Sequence, residues 1–493
     1  MKQKKSLQVV SKKLDENAQF MKDEVGVGIS FDVDYREIVV LQNRMQLYYI
    51  NGLVDDTVIV HLLKELVNLN DHENEEVNIF ELTKNRLVNQ QVEVENKLQN
   101  ITDQLLAGLI IIFIDGEKEA FIIDVRNYAG RQPEEPDTER VIRGARDGFT
   151  ENIIENCSLM RRRIKDPRLR NKIVQIGKRS KTDVCISFID NIANDFYIEE
   201  IEKLLDEIDI DNLVMADKAL VELMIDKKWS PFPLVRFTER PDVAAHHILS
   251  GYIVLIVDTS PSVIILPTTY FDHLEHAEEY RQTPTVGTFT RWIRITAVLA
   301  SIFLLPLWLL FVLDPNLLPE TLSFIGPKEK SSIPVYIQII VADIGVEFLR
   351  MAAVHTPTPL ATALGLIAAV LIGDIAVKVG LFTPEVILYV AISTIGSYVT
   401  PSYELSVANK FIKFWIVIMT ILFKATGFVF ASTIAILYLV QLKTLRTPYF
   451  WPLIPFHPKG LWQFIVRVPV QKVSERPVVI HPKDIIRQRV KDN

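Results

Sequence analysis

The first 285 residues alternate short apolar runs with amphipathic stretches. The short runs are rich in β-branched side chains, which is typical of buried strands. They are Gln46–Ile50, Leu109–Ile114, Ala120–Val125 and Tyr252–Val257. Between them, Asp56–Leu69 and Ile198–Ile208 repeat their apolar positions with the period of a helix. The alternation predicts an α/β fold for this part of the chain.

Parts of this region repeat one another. Gly108 opens an apolar run that ends at Asp115, and Gly251 opens one that ends at Asp258. Four residues upstream recur 139 positions later: Ile50, Asp56, Lys64 and Leu66 are repeated as Ile189, Asp195, Lys203 and Leu205. We predict an N-terminal tail over 1–24, followed by two related α/β subdomains over 25–130 and 135–285. A linker rich in proline and acid, 127–140, separates them. The alternative is a chance similarity between two hairpins.

Beyond residue 290 the pattern changes to long apolar runs. The run at 292–313 is long enough to cross a bilayer, which takes about 20 residues, and Arg291 and Arg294 lie at its start. Further runs lie near 334–354, 360–380, 385–402 and 414–442. This density of apolar runs predicts a polytopic helical membrane domain over 290–442, followed by a basic C-terminal tail over 443–493.

The sequence leaves open which side of the membrane carries the C-terminus. Positive residues between the runs fit crossings that alternate in direction, and five simple crossings place the C-terminus outside. These residues are Arg350, Lys410 and Lys413. The basic tail, with ten Lys and Arg against three Asp and Glu, favours the inside. The last run contains Lys424 and Gly427, and we expect it to be a broken or re-entrant helix.

Net charge divides the chain at the same place. Residues 1–285 hold 35 Lys and Arg against 50 Asp and Glu, which gives −15, and residues 286–493 hold 19 against 11, which gives +8. The two values sum to the −7 of the whole chain. An acidic region of this kind repels phosphate, so nucleic acid is excluded as a partner. The basic N-terminus lacks the apolar core of a signal peptide, so we expect the first 285 residues in the cytosol.

Motifs for catalysis, cofactors and metals are incomplete. GKRS at 177–180 lacks the first glycine of a phosphate loop, because Lys172 occupies that position, and residues 26–28 lack the third glycine of a dinucleotide fingerprint. Cys157 and Cys185 are 28 residues apart, which fits two reduced core residues better than a zinc site. We predict a protein that is not an enzyme and that uses no cofactor and no metal.

The densest polar signal of the acidic region lies in 139–167. Several arginines recur there at helical spacing, which gathers guanidinium groups on one side. They are Arg143, Arg146, Arg161, Arg162 and Arg163. Such a group pairs well with carboxylates across an interface between subunits. The alternative is a solvated helix with local ion pairs.

Polar residues inside the apolar runs fall on single helix faces. The sets are Asp343, Glu347 and Arg350 in the second run, Asp374 and Lys378 in the third, Thr394, Ser397 and Glu404 in the fourth, and Lys424 in the fifth. A charge in a bilayer costs about 2.5–3.5 kcal/mol, so these sets face a bundle interior or water. For Asp343, Glu347 and Asp374, interhelical pairing and the lining of a hydrated ion path both stay open. Arg350 and Lys378 are expected to be structural or to snorkel to the interface.

Particular strings also occur in a known order. In the acidic region they are VIRGARDGFTENI (141–153), RRRIKDPRL (161–169), GKRSKTDV (177–184), TERPD (238–242) and LIVDTSPSVIILP (255–267). In the apolar region they are EFLRMA (347–352), LIGDIAVKVGLFTPEVI (371–387), ASTIAI (431–436) as a weaker match, and PYFWPLIPF (448–456). Together they resemble the GerA family, the A-subunits of the spore germination receptors of endospore-forming bacteria. The resemblance covers most of the chain.

Three departures from the family pattern concern function. Met351 follows Arg350 where the family usually has Glu, and Asp374 stands where it usually has Gln. Ala145 and Asp147 stand where the common form of the RGARDGF string has Pro and Glu. These changes fit a sporulation branch of the family rather than its nutrient receptors. They also supply a membrane carboxylate that receptor subunits commonly lack.

The resemblance implies a cytosolic region of two α/β subdomains on the spore-core side and a polytopic domain in the lipid bilayer of the spore inner membrane. It also implies a ring-like homo-oligomer of five copies, a small membrane partner protein, and conduction of monovalent ions during germination. On this basis we expect an oligomeric ion channel that acts in germination or amplifies it. Asp374 and Glu347 are the first candidates for the pore, and Arg240 of the TERPD string joins the arginines expected at subunit contacts.

Two other functions stay open. One is a nutrient-sensing receptor subunit that binds a germinant. The other is a membrane scaffold that assists the release of small molecules from the spore without conducting ions.

Overall fold

The computed structural model describes residues 9–68, 70, 79–86, 92–125, 139, 141–225, 230–319, 321, 325–326, 333–355, 365 and 375–488. The chain forms two compact units. Unit 1 spans Met1–Lys228, Phe237–Pro267 and Val470–Asn493, and unit 2 spans Trp229–Arg236 and Thr268–Pro469. The predicted basic tail is therefore divided between the two units.

Unit 1 contains two five-stranded sheets. The first has strands β1 (Val33–Val40), β2 (Asn43–Ile50), β3 (Val92–Glu95), β4 (Ile110–Ile114) and β5 (Ala120–Ile123), in the order β1-β2-β4-β5-β3. Its helices are α1 (Leu14–Phe20), α2 (Asp56–Asn68), α3 (Ile79–Arg86) and α4 (Leu98–Leu106). The central strand β4 is buried along its whole length. Alternate residues of β4 pack toward α1 and α4 on one face and toward α2 and α3 on the other, which explains why its sequence is continuously apolar.

The second sheet repeats this arrangement. Its strands are β6 (Leu169–Ile176), β7 (Thr182–Ile189), β8 (Arg236–Thr238), β9 (Ile253–Val257) and β10 (Val263–Leu266), in the order β6-β7-β9-β10-β8. Its helices are α5 (Ile153–Arg163), α6 (Asp195–Asp206), α7 (Ala216–Met224) and α8 (Pro241–Ser250). Strands β1 to β5 correspond in chain order to β6 to β10, and with this correspondence the two sheets have the same strand order.

The repeated residues occupy equivalent places in the two sheets. Asp56 is the first residue of α2 and Asp195 is the first residue of α6. The preceding residues, Asp55 and Asn194, are also 139 apart, and each accepts a hydrogen bond from a main-chain N–H of the first turn, at 2.9 and 3.0 Å. The predicted α/β fold is thus confirmed, and the equivalent caps support a duplication. The linker 127–140 lies outside the described residues, except for residue 139.

Unit 2 is largely helical. Its helices are α9 (Ala277–Arg281), α10 (Pro284–Leu313), α11 (Val335–His355), the single turn α12 (Ala376–Lys378), α13 (Pro384–Tyr398), α14 (Tyr403–Gln441) and α15 (Pro458–Ile465), and β11 (Lys443–Thr444) pairs with β12 (Thr447–Pro448). Among the described residues, α10 and α14 are long and apolar enough to cross a membrane, by length and composition alone. The predicted run at 360–380 lies mostly outside the described residues.

Helices α10 and α13 pack closely through small residues. A Cβ at Gly396 would meet the carbonyl oxygen of Ala297, so glycine is required at this contact. One turn away, Ser393 Oγ donates to the carbonyl oxygen of Ser301 at 3.0 Å. The short approach of the two backbones resembles small-residue packing in membrane bundles.

Candidate functional site in the helical unit

Ion pairs join α11 to α14 inside their apolar packing. Lys413 Nζ donates to Asp343 Oδ1 at 2.7 Å, and the two side chains are 3% and 8% exposed. One helical turn away, Lys410 Nζ donates to Glu347 Oε2 at 2.5 Å. A buried charge without a partner costs several kcal/mol, so each carboxylate of α11 is matched by an ammonium group of α14. We call these two pairs the ion-pair ladder.

The Glu347 end of the ladder is more open than the Asp343 end. The Glu347 side chain is 31% exposed, and Arg350 forms a second ion pair with it. The Arg350 guanidinium lies 5.0 Å from the centre of the Tyr403 ring, and Lys410 Nζ lies 5.9 Å from the centre of the Tyr398 ring. Two cations around one carboxylate leave this end with net positive charge.

The predicted spacing of Asp343, Glu347 and Arg350 on one helix is confirmed. For Asp343 the structure favours interhelical pairing, because its partner is buried with it. Lys410 and Lys413 were interpreted as cations between two runs, and that interpretation is wrong. Helix α14 begins at Tyr403, eleven residues before the predicted run, so both lysines lie within the helix. Lys410 and Lys413 are three residues apart in sequence, and Asp343 and Glu347 in α11 are four apart. This similar spacing was the signal in the sequence that could have indicated the pairing.

Helix α14 is broken at Lys424, as predicted. Lys424 has φ 49° and ψ −129°, a conformation that costs a residue with a Cβ free energy. Thr426 Oγ1 donates to the Phe423 carbonyl oxygen at 2.6 Å, which satisfies an acceptor next to the break. A Cβ at Gly427 would collide with the carbonyl oxygen of Met419. The chain therefore reverses sharply at this point, and only glycine fits inside the reversal.

Both arms of α14 return to one aromatic cluster. The cluster is formed by Phe232, Tyr270 and Tyr449. The centre of the Tyr449 ring lies 6.3 Å from that of Phe232 and 6.1 Å from that of Tyr270. Tyr270 Oη donates to Asn409 Oδ1 in the first arm at 3.2 Å, and Phe232 lies 6.0 Å from Tyr438 in the second arm. Asn409 and Tyr438 are nearly equidistant from Lys424 in sequence. Helix α14 is thus a helical hairpin in which each arm runs about 20 Å from Lys424 to the cluster, at 1.5 Å per residue.

The segment after the hairpin packs against the first turns of α10. Arg291 donates to the carbonyl oxygens of Gln463 and Phe464 at 2.7 and 2.8 Å, and Trp292 Nε1 donates to that of Ile465 at 3.0 Å. Cations at the last carbonyls of a helix are favourable, and these carbonyls end α15. The start of α10, the aromatic cluster and α15 therefore lie together, and we call this the basal end of unit 2.

Arg291 is not a free interfacial cation. It is buried, and its Nε donates to Glu279 Oε2 at 2.6 Å, while Arg294 pairs with the same carboxylate. Arg291 and Arg294 share one carboxylate and are held by contacts within the chain, so Arg291 is weak evidence for the side of the membrane on which α10 begins.

The other predicted membrane-polar residues are dispersed. Thr394 and Ser397 are buried in α13, and Ser406 Oγ of α14 donates to the Ser397 carbonyl oxygen at 2.8 Å. The prediction that Glu404 shares their face is wrong. Helix α13 ends at Tyr398, before Pro401, and Glu404 lies in the first turn of α14. Lys378 ends α12 with an exposed side chain, whereas Asp374 lies outside the described residues.

The predicted interface arginines divide into buried and exposed groups. Arg161 and Arg240 are fully buried, and the prediction that they contact another subunit is wrong for both. Arg161 pairs with Asp32, and Arg240 pairs with Asp242 while donating to the carbonyl oxygen of Ala145. Both hold segments of unit 1 together, because a buried guanidinium needs acceptors on all sides.

The remaining arginines lie at or near the surface of unit 1. Arg163 pairs with Asp147 and donates to the carbonyl oxygen of Leu159 at 3.2 Å. Arg143, Arg146 and Arg162 are exposed. Among the described residues, no group of three or more His, Cys, Asp or Glu side chains is arranged to hold a metal ion.

Two neighbouring residues at the basal end are expected to give unit 2 opposing pH dependences. Burial, with Glu275 beside it, raises the pKa of Asp272 to about 6. The contribution of Asp272 to the free energy of unfolding is therefore present at low pH and is lost as pH rises from about 4 to about 6. Burial, with Arg236 beside it, lowers the pKa of His273 to about 3, so its contribution is lost as pH falls from about 6.5 to about 3.

The substitution Asp272→Asn keeps an oxygen acceptor for Thr269, which donates to Asp272 through its N–H and its hydroxyl. We expect it to stabilise unit 2 above pH 6 by about 1–3 kcal/mol and to leave the acid-side loss from His273 in place. Thermal unfolding of the full chain in detergent between pH 4 and pH 8 measures both effects. Asp209→Asn, at a side chain that is 74% exposed, is the control and should leave the pH profile unchanged.

The chain is similar in sequence to a family of known proteins. The sequence profile described as Bacillus/Clostridium GerA spore germination protein matches residues 19–479. The chain is 53% identical to stage V sporulation protein AF of Bacillus subtilis over 472 residues, which cover 96% of each chain. It is 28% identical to spore germination protein KA of Bacillus subtilis, over 97% of this chain and 89% of the relative.

One solved structure is also similar. It is the crystal structure of the N-terminal domain of the A subunit of the Bacillus megaterium spore germinant receptor GerK3. The sequence identity is 27% and the TM-score is 0.42, over 53% of this chain and 97% of the solved chain.

Proposed function

The chain belongs to the GerA family of spore germination proteins, and from this premise we propose that it is an ion-conducting membrane protein of the spore. It acts in germination or amplifies it, and it is not an enzyme. Relatives over nearly the whole chain are named for sporulation and germination, and two helices of unit 2 are long and apolar enough to cross a bilayer. The proposal adds ion conduction to this family membership.

The observation that carries the proposal is the partly exposed Glu347 carboxylate within an apolar helical bundle. Its neighbour pair, Asp343 with Lys413, is buried and serves to hold α11 on α14. Glu347 instead keeps 31% of its side chain accessible beside Lys410 and Arg350. Ionisable groups at such positions face water or a partner, because contact with lipid is costly. A hydrated ion path along this end of the ladder meets that requirement.

The proposed assembly is a ring of five copies in the spore inner membrane, with unit 1 in the spore core and a small membrane protein as partner. The exposed arginines of unit 1, Arg143, Arg146 and Arg162, supply cations for contacts with an acidic neighbouring copy. The basal end of unit 2 then faces the cytosol, and the α14 hairpin returns the C-terminal segment to that side. Monovalent ions are the proposed permeant species.

Ion flux tests this function. The full chain is reconstituted in liposomes, with and without its membrane partner, and the release of entrapped monovalent ions is followed. We expect flux from the wild type and an at least about threefold change for Glu347→Gln, which removes a charge at the path while keeping the side chain's size. Glu404→Gln is the matched control, because Glu404 lies at the start of α14 beside Ser402 and outside the ladder.

Absence of flux with and without the partner contradicts the channel. Saturable binding of a germinant by the same preparation then favours a receptor subunit. Spores that lack the protein but release ions normally favour a scaffold.

A further inference from the structure

Residues 474–487 fold back on themselves and pack on the second sheet of unit 1. Glu475 and Ile486 form an antiparallel bridge, and Arg476 closes it by donating to the carbonyl oxygens of Asp484 and Ile486 at 2.8 Å each. Arg476 Nε also donates to the carbonyl oxygen of Leu249, the penultimate residue of α8, at 3.0 Å. We call residues 474–487 the clip.

The clip is fitted to one place on unit 1. Ile480 is 1% exposed, and its side chain lies over Gly251, where a Cβ would come within 3.1 Å of it. Gly251 has φ 104°, so the end of α8 needs glycine for its conformation as well as for this contact. The Ile480 side chain therefore fills a place that the backbone at Gly251 leaves open.

Polar contacts fix the other side of the clip. Lys483 Nζ lies 2.5 Å from Asp195 Oδ1 and donates to the carbonyl oxygen of Asp190 at 2.8 Å. Asn194, the cap of α6, donates through Nδ2 to the carbonyl oxygen of His481 at 2.9 Å. The clip thus binds at the start of α6 and at the end of α8, which are both helices of the half of unit 1 that contains the second sheet.

The chain immediately before the clip is fastened to α9 and α10 of unit 2. Arg467 donates to the carbonyl oxygen of Tyr280 at 2.9 Å, and its main-chain N–H donates to Thr288 Oγ1 at 3.1 Å. The carbonyl oxygens of Gln463 and Phe464 hold Arg291. Only residues 468–473 separate the contacts on α10 from the clip. At about 3.3 Å per residue, these six residues reach at most about 20 Å.

We propose that the clip is a mechanical coupling that transmits the state of the second sheet of unit 1 to the first turns of α10. When the clip is seated, the tail restrains α10 through Arg467 and Arg291. When it is released, the first turns of α10 lose that restraint. The consequence for ion flux rests on the proposed channel function, whereas the coupling itself does not.

Hydrogen exchange on the full chain in detergent tests the coupling without reference to conduction. Lys483→Glu places a carboxylate against Asp195 and should release the clip without disturbing the apolar core. We expect amides of 474–487 and of 284–292 to exchange at least about threefold faster. Lys472→Glu, the same charge change at an exposed residue just before the clip, is the control and should change neither segment.

Ile480→Asp provides an independent release, because it places a charge in the buried contact at Gly251. Faster exchange in both segments for the two release variants supports the coupling. Faster exchange in the clip with unchanged exchange at 284–292 overturns it, and so does unchanged exchange in the clip for both variants.

The flux assay then measures the functional consequence. Lys483→Glu should alter ion flux at least about threefold relative to Lys472→Glu, because the restrained helix belongs to the proposed conducting unit. Unchanged flux together with faster exchange at 284–292 overturns control of conduction by the clip and leaves the channel in place. Absence of flux in the wild type contradicts the channel, while the exchange result still decides the coupling.

Discussion

Replacing Asp32 with alanine is expected to destabilise unit 1 by about 3–5 kcal/mol, the usual cost of breaking a buried ion pair by removing one partner. Arg161 is fully buried, and its Nε and one terminal nitrogen donate to the two oxygens of Asp32 at 3.0 and 3.3 Å. Without Asp32 its acceptors are the carbonyl oxygens of Asp166 and Leu169, which carry no net charge. Hydrogen exchange of the β6 and β7 amides in the full chain measures the loss.

The effect is large because Asp32 connects the two halves of unit 1. Asp32 precedes the first sheet, whereas Arg161 and Asn171 belong to the second half. Asn171 Nδ2 also donates to Asp32 Oδ2 at 3.1 Å, and its main-chain N–H donates to Ser30 Oγ at 2.8 Å. Removing the carboxylate therefore leaves unpaired donors on both Arg161 and Asn171.

A matched control separates this effect from the general loss of an acidic side chain. Asp209→Ala breaks the pair with Lys178, whose partners are 74% and 70% exposed, and it should cost less than about 1 kcal/mol. The double change Asp32→Leu with Arg161→Met should recover much of the loss, because it removes both buried charges. Equal effects of Asp32→Ala and Asp209→Ala would contradict the assigned role of Asp32.

The repeated architecture of unit 1 was predictable because local signals fix it twice. The spacing of 139 that relates Asp56 to Asp195 places both residues at the start of a helix, and the caps Asp55 and Asn194 share it. The order of the strands was not predictable in the same way. Strand order depends on pairing between distant segments, which a period along the sequence does not specify.

The partners in the ion-pair ladder were also not predictable, because they are distant in sequence. The spacing in α11 predicted that Asp343 and Glu347 share a face, because three to four residues make one turn. Their partners lie 70 and 63 residues further along the chain. Lys410 and Lys413 were therefore assigned to a loop by their position between apolar runs, although charges that are paired across a bundle occur within helices.

The break in α14 was predictable from Lys424 and Gly427, but the direction of the second arm was not. A polar residue and a glycine in an apolar run indicate a weak point in the helix. The contacts of Asn409 with Tyr270 and of Tyr438 with Phe232 show that the chain returns. A hairpin returns the last predicted run to the end at which α14 begins, as the basic C-terminal segment led us to expect of a run that does not cross simply.

Replacing Gly427 with alanine is expected to destabilise unit 2 by about 3 kcal/mol, because it overpacks the reversal of α14 against main-chain atoms. The new methyl group would collide with the carbonyl oxygen of Met419 and would approach Cβ of Phe423 to 2.9 Å. Neither atom is the end of a flexible side chain, so the two arms must separate. Thermal unfolding of the full chain in detergent should show a lower midpoint, and hydrogen exchange should rise on both sides of Lys424.

Gly345→Ala is the matched control, since Gly345 lies within α11 and a Cβ there meets no atom within 4 Å. Alanine favours a helix over glycine by about 1 kcal/mol, so this change should be neutral or stabilising. Lys424→Gly should also be neutral or stabilising, because glycine adopts φ 49° without the cost that a side chain brings. If Gly427→Ala behaved like Gly345→Ala, α14 would have to continue past Lys424 without reversing. The C-terminal segment would then lie at the other end of unit 2, away from Arg291.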